Sequence, residues 1–181
     1  MILNNVQDLE VDEIFEIRDR DLLARIGRLR TKSGEVETPI MLPVINPTIQ
    51  PIPPRRILEC FGFDAVITNA YILYKSRYRD QVRSQGIHKF LDYPGVVMTD
   101  SGAYQILVYG GISAEQSEIL RYQEEISTDI GVILDIPTSW KAKESEIEFS
   151  VSETMKRAKE AVELRNRSDI LWVAPIQGGV R

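Results

Sequence analysis

Short apolar runs separated by stretches with helical periodicity constrain the fold of this chain most strongly. Five such runs follow one another along the sequence, at residues 40–47, 65–70, 96–100, 130–135 and 170–176. Near-continuous apolar strands that alternate with helices are typical of a parallel sheet covered on both faces. The sequence therefore predicts an α/β fold with about five parallel strands. A complete (βα)₈ barrel takes roughly 250 residues, so an open sheet and part of a barrel are the alternatives.

The segments between these runs predict helices. One is expected over 53–61, where proline suits the first turn. Another is predicted over 75–85. Ser113 is expected to open a third, because Gln116 follows it at the spacing of a capping box. The longest helix is predicted over 144–164, where apolar residues recur every three or four positions.

The N-terminal part of the chain has a different pattern. Residues 1–14 are acidic and aperiodic, which predicts a loose arm. Two short strands are expected at 15–17 and 24–29, and a turn signal at 32–35 precedes Val36. These features predict a small antiparallel hairpin or meander before the main α/β unit, which would occupy the rest of residues 15–181.

Composition narrows the class of protein. The chain has 181 residues, of which 43% are hydrophobic, enough for one domain with a core, and no apolar run reaches the length of a membrane helix. The N-terminus lacks the features of a signal peptide. A single cysteine, Cys60, excludes an internal disulfide and favours a reducing, cytoplasmic setting.

The net charge argues mildly against binding of a nucleic acid by this chain alone. The formal net charge is −5, whereas phosphate backbones are bound by Lys and Arg. Basic residues are nevertheless concentrated at 18–32 and 75–79. Solvated surfaces are the preferred interpretation of both clusters, and contact with RNA is the alternative.

Polar side chains end each of the five apolar runs. In parallel α/β folds, ligands bind beyond the carboxyl ends of the strands. Such residues also satisfy loop backbone, which is the preferred interpretation of Asn46 and Thr68. Asp100 and Asp135 differ, because each follows apolar residues and would be partly desolvated. Desolvation of a carboxylate is costly, so a carboxylate at such a position needs a structural or functional explanation. The remaining polar residues at these ends are Asn69, Ser101, Thr138, Gln177, Gly178 and Gly179.

The chemistry of these side chains suggests a ligand with a donor edge. Ionised Asp135 only accepts hydrogen bonds, Gln177 donates and accepts, and Gly178 allows close approach of a backbone amide. This set suits the N1 and exocyclic amine of guanine. Tyr104 is predicted either to stack on a flat ring or to pack in the core.

Several motifs in order resemble a known family. The segments P-V-I-N-P, I-T-N-A-Y-I, M-T-D-S-G-A-Y-Q, L-D-I-P-T and P-I-Q-G-G resemble the tRNA-guanine transglycosylases, and D-I-P-T resembles the archaeal branch. The resemblance covers about residues 15–181. It implies the N-terminal portion of a (βα)₈ TIM-type barrel that exchanges guanine in tRNA for 7-cyano-7-deazaguanine, the precursor of archaeosine.

The resemblance also implies roles for individual residues. Asp100 matches the active-site aspartate, Ser101 would help to hold the base and Tyr104 would stack on it. Asp135 matches the base-recognising aspartate, and Gln177 with Gly178 matches the base-contacting Q-G-G. In the family, one carboxylate forms a ribosyl-enzyme and another transfers protons. We expect acid–base work for Asp100, with the nucleophile elsewhere.

The family implies parts that this sequence does not contain. Zinc is expected in full-length members, but no ligands are expected here, and Cys60 and His88 are not candidates. A C-terminal half or partner subunit is expected to complete the barrel, and two open apolar edges predict self-association. The alternative is a non-catalytic base- or tRNA-binding subunit or paralogue related to archaeosine synthase, and an unrelated open α/β domain is a third interpretation.

Overall fold

The computed structural model describes residues 14–105 and 114–179, which form two sheets with helices packed against the second. The predicted arm at 1–14 lies almost wholly outside the described residues. The elements in order are β1 (Phe15–Asp21), β2 (Ala24–Thr31), β3 (Gly34–Thr38), α1 (Pro54–Phe61), β4 (Ala65–Asn69), α2 (Ala70–Lys75), α3 (Arg79–Gln85), α4 (Ile87–Leu91), β5 (Val96–Asp100), α5 (Gln116–Glu125), β6 (Ile130–Val132), α6 (Glu144–Leu164) and β7 (Leu171–Val173).

The first sheet is the antiparallel meander that the sequence predicts. β1 pairs with β2 and β2 with β3, and the β2–β3 turn brings Thr31 opposite Gly34. The Thr31 hydroxyl donates to the carbonyl of Gly34 over 2.9 Å, which closes this turn.

The second sheet is parallel, in the order β4-β5-β6-β7. The α/β prediction is confirmed, but the predicted count of about five strands is wrong, because the run at 40–47 forms only a bridge between Val44 and Ile67. Two hydrogen bonds accompany it, from the Ile45 amide to the Ile67 carbonyl (2.8 Å) and from the Ile67 amide to the Pro43 carbonyl (3.0 Å). Proline has no amide proton, so Pro43 cannot donate to a longer ladder.

The helices agree with the sequence in part. α1 has proline in its first turn and α6 spans residues 144–164, both as predicted. The helix predicted at 75–85 is confirmed only over Arg79–Gln85 (α3), since the chain breaks at Ser76 after α2, which begins at Ala70 and was not predicted. The predicted cap, Ser113, lies outside the described residues, and α5 is capped instead by Glu115 with Glu118.

Apolar side chains cover the two faces of the parallel sheet differently. Val66 and Val97 pack against the helices in the largest core cluster. Val96 and Met98 point to the other face, as alternation along a strand requires, and pack against Val36 of the meander. The meander therefore covers one end of that face. Asp100 follows Met98 by two residues, so it belongs to the same face at the opposite end.

Among the described residues, no helix has both the length and the apolar character needed to cross a membrane.

Candidate active site

Asp100 lies at the carboxyl end of β5, directly beside the end of β4. The parallel register pairs it with Asn69, whose Nδ2 donates to Asp100 Oδ2 over 3.1 Å. The Gly102 amide donates to the same oxygen over 3.4 Å. Burial raises the pKa of Asp100, although hydrogen bonds from the amides of Gly102 and Ser101 oppose this shift. The carboxyl group is thus held in place and is easier to protonate than an exposed aspartate.

Asn69 orients Asp100 because its own side chain is fixed at both ends. Its Oδ1 accepts from the Ile72 amide over 2.9 Å and so caps α2. Its Nδ2 also donates to Gln105 Oε1 over 3.3 Å. The sequence places Asn69 at a strand end and Gln105 at the end of the M-T-D-S-G-A-Y-Q segment, but it does not predict either as a partner of the carboxylate. A single sequence carries no signal from which a side-chain contact between two strands could be predicted.

The turn after Asp100 depends on glycine. Gly102 has φ +92°, and a Cβ there would lie 2.4 Å from Tyr71 Cβ. Ser101 is fully buried, and its Oγ has no hydrogen-bond partner in the part of the chain that the structure describes. Tyr104 is 65% exposed, so it does not pack in the core, and its stacking on a base stays a prediction.

Asp135 lies three residues beyond β6 and is 6% exposed. Gln177 Nε2 donates to Asp135 Oδ2. Gln177 Oε1 in turn accepts from the Thr138 amide and hydroxyl, each over 3.2 Å. Gly178 is exposed, with open space where a Cβ would stand. The structure therefore brings Asp135 and Gln177 together from two different strand ends.

The pKa of Asp135 is affected by the charge of Asp100. Burial raises the pKa of Asp135, and the negative charge of Asp100 raises it further, while the Arg157 guanidinium and a backbone hydrogen bond oppose the shift. Arg157 is held nearby, with Nη1 donating to the Leu134 carbonyl over 3.1 Å. Both carboxyl groups lie at or just beyond the carboxyl ends of two neighbouring parallel strands, β5 and β6.

A buried bridge ties the two carboxylate-bearing strands together. Thr99 Oγ1 donates to Gln123 Oε1 over 2.7 Å, and Gln123 Nε2 donates to the Val132 carbonyl over 3.1 Å. Thr99 and Gln123 are both fully buried. Gln123 of α5 thus connects the residue before Asp100 to the last residue of β6.

Two other strand-end residues satisfy backbone, as the preferred interpretation expected. Asn46 Oδ1 accepts from the amides of Thr48 (2.9 Å) and Ile49 (3.1 Å). Thr68 Oγ1 donates to the Ile45 carbonyl over 2.9 Å.

The residues present do not fit a metal site. Within 14–105 and 114–179, no group of three His, Cys, Asp or Glu side chains could hold a metal ion. Cys60 is exposed on α1. The His88 ring contacts other parts of the fold instead. Its Nε2 lies 3.0 Å from Asp129 Oδ2, and its Nδ1 lies 3.1 Å from the Tyr93 carbonyl oxygen.

Comparison with known proteins decides the family. The family described as queuine tRNA-ribosyltransferase matches residues 19–181. The chain belongs to this family. Membership confirms the resemblance found in the motifs and rules out an unrelated open α/β domain.

Named relatives come from archaea. The tRNA-guanine(15) transglycosylase of Aeropyrum pernix is 49% identical over 92% of this chain and 32% of its own length. That of Methanopyrus kandleri is 46% identical over 83% of this chain and 33% of its own length. That of Sulfolobus acidocaldarius is 47% identical over 92% of this chain and 33% of its own length. The chain thus spans about a third of the length of the relatives it matches.

Proposed function

We propose that this chain supplies the base-recognition part of a tRNA-guanine transglycosylase that exchanges guanine in archaeal tRNA for 7-cyano-7-deazaguanine, a step of archaeosine formation. The observation that carries this proposal is the pair of carboxyl groups at the carboxyl ends of β5 and the β6 run, Asp100, which is partly buried, and Asp135, which is buried. The names of its relatives support the reaction class.

The exchange takes two displacements at C1′ of the ribose. A carboxylate of the completed enzyme attacks C1′, the C1′–N9 bond breaks with its electron pair going to the base, and a proton neutralises the departing guanine. The deazaguanine then loses a proton at its ring nitrogen, attacks C1′ and releases the carboxylate. In this proposal Asp100 carries the proton in both steps, because burial raises its pKa and so favours the protonated form that a general acid needs.

Asp135 recognises the edge that the leaving and incoming bases share. Its oxygens accept from N1–H and the exocyclic amine, which both bases present. Gln177 Nε2 fixes this carboxylate from one side, and the amide oxygen of Gln177 is occupied by Thr138. Ser101 and Tyr104 hold the ring, and Gly178 brings its amide near the base.

The rest of the enzyme supplies the nucleophile. A C-terminal half or partner subunit completes the barrel in this proposal, and the zinc expected in full-length members is bound there. A reducing, cytoplasmic setting is proposed for the reaction.

The test is exchange of labelled guanine into archaeal tRNA. We expect no exchange with this chain alone and exchange when a C-terminal polypeptide completes it. Absence of exchange in both samples, with tRNA binding retained, would favour the non-catalytic subunit or paralogue instead.

A further inference from the structure

The loop after Asp135 carries an aromatic side chain that the proposed chemistry does not use. Trp140 is 88% exposed, whereas most large apolar side chains of this size are buried at least in part. It lies five residues beyond Asp135, in the loop between β6 and α6. Its position at the carboxyl end of the sheet is therefore on the same rim as the two carboxylates.

The loop holds Trp140 in place without covering it. The Ala142 amide donates to the Ser139 carbonyl over 3.0 Å, which makes Trp140 part of a closed turn. The loop is tied to Gln177 through Thr138, and to α6 through the Ile136 amide and Thr154 Oγ1 at 3.1 Å. Because these contacts fix the backbone on both sides of Trp140, mainly the side-chain rotamer has to be ordered when the ring binds a partner.

Charge near the ring favours a nucleic acid. Lys141 Nζ lies 4.8 Å from the centroid of the Trp140 ring, so one face of the ring meets a cation. Lys143 follows in the same loop. An aromatic ring beside lysines is the arrangement with which proteins bind single-stranded nucleic acid, by stacking on bases and attracting the backbone.

We infer that Trp140 stacks on an unpaired RNA base next to the target guanine, while Lys141 packs on the other side of its ring and attracts the phosphate backbone. This inference rests on the proposed function. An enzyme that acts on a base removes it from its stack, which leaves the flanking base without a neighbour. Trp140 replaces that neighbour at the rim of the site.

Acrylamide quenching tests the contact directly. The difference in fluorescence between the parent and Trp140→Phe isolates Trp140 from Trp172 and from any tryptophan of a completing polypeptide. We expect Trp140 to be accessible in the free protein and protected by archaeal tRNA, but not by a fully paired RNA hairpin of equal charge. Shielding before RNA is added would mean that another part of the protein covers the ring, and equal protection by both RNAs would mean backbone attraction without stacking; either result overturns the inference.

Kinetics of the completed enzyme provide a second test. Trp140→Ala should raise KM for tRNA by about 5- to 150-fold, the range for loss of one stacked base, with kcat nearly unchanged and Trp140→Phe close to the parent. The matched control is Leu23→Ala, which removes a fully exposed apolar side chain from the meander. If the parent exchanges guanine and Trp140→Ala keeps its KM, the inference fails while the proposed function stands. If the parent shows no exchange, the proposed function fails and the quenching measurement still reports on RNA contact.

Discussion

Asp135 carries a charge that the fold disfavours. Burial and the neighbouring Asp100 raise its pKa, so the folded state binds the proton more tightly than the unfolded state does. Its contribution to stability is therefore complete below the unfolded pKa and is lost as pH rises through the folded pKa. Above the folded pKa, where the group is ionised, its charge destabilises the fold.

We predict that Asp135→Asn stabilises the fold at neutral pH while impairing base recognition. The amide oxygen can still accept from Gln177, but the charge is absent, and a gain of about 1 kcal/mol in the free energy of unfolding is expected. Urea unfolding at several pH values measures it, and the gain should vanish in acid. Unchanged affinity and selectivity for guanine in the variant would count against the recognition role.

Asp100→Ala should strongly reduce turnover while leaving tRNA binding largely intact. General acid–base catalysis contributes about 10²- to 10⁴-fold, so kcat of the completed enzyme should fall by that factor. The control is Asp80→Ala, which removes an aspartate whose side chain is 88% exposed on α3. Near-normal turnover in Asp100→Ala would remove this residue from the mechanism.

Single residues were predictable where the strand pattern places them, but not where a partner comes from elsewhere in the chain. Asp100 and Asp135 stand at the ends of apolar runs, so their location followed from the sequence, and their catalytic roles stay predictions. The contact of Asn69 with Asp100 depends on the register of β4 against β5, which one sequence does not contain. Gln123 likewise faces a threonine 24 residues earlier in the chain.

At the scale of elements, a polar cluster fastens the meander to the parallel sheet. Asp129 is fully buried at the start of the β6 run and accepts from Ser33 Oγ over 2.6 Å and from the Val97 amide over 2.7 Å. Burial by itself would raise the pKa of Asp129, but hydrogen bonds from His88, Ser33 and the Val97 amide lower it below its ordinary value. The ionised form is thus the one that the fold stabilises.

Asp129→Asn should therefore destabilise the protein and loosen the turn between β2 and β3. Loss of charge-assisted hydrogen bonds is expected to cost about 2 kcal/mol. Because the folded pKa is lowered, the stabilisation is present above the unfolded pKa and is lost as pH falls through the folded pKa, so parent and variant should converge in strong acid. Hydrogen exchange of the β2 and β3 amides, compared with Asp80→Asn, measures the effect. Unchanged exchange in the meander would contradict the anchoring role.

Some observed elements differ from the predicted ones because of local interactions, such as helix capping and proline, that hydrophobic periodicity does not reveal. The helix at α2 starts directly at the strand end because Asn69 caps it, and it ends at Ser76, whose hydroxyl donates to the Leu73 carbonyl over 2.8 Å. The run at 40–47 contains two prolines, which limit its pairing with β4 to a bridge. The long α6 was predicted to its end residues, since its apolar pattern continues without interruption.

For the molecule as a whole, the choice between an open sheet and part of a barrel required more than length and pattern. The parallel sheet with a meander across one end of one face is consistent with part of a (βα)₈ barrel. The family match covers residues 19–181, and the relatives are about three times as long as the aligned region. Exposed apolar side chains show which edges of the parallel sheet are uncovered in this chain.

Exposed apolar side chains lie near both edges of the parallel sheet. Near the β7 edge they are Val173 and Ile176, with Phe149, Met155 and Val162 of α6. On the opposite side they are Met41, Val44, Ile49, Ile52 and Phe61. An unpaired strand edge flanked by apolar surface is a template for association.

We therefore predict that the 181-residue chain self-associates in a concentration-dependent manner, and that a completing C-terminal polypeptide suppresses this. Ile176 is 99% exposed, so Ile176→Lys should weaken association with little change in the free energy of unfolding, because the side chain is not part of the core. Sedimentation velocity over a range of concentrations measures it. Leu23→Lys is the matched control, since Leu23 is equally exposed but lies in the β1–β2 turn, away from both edges. A monomer at all concentrations, or equal weakening by the two lysine variants, would show that the sheet edges are not the associating surfaces.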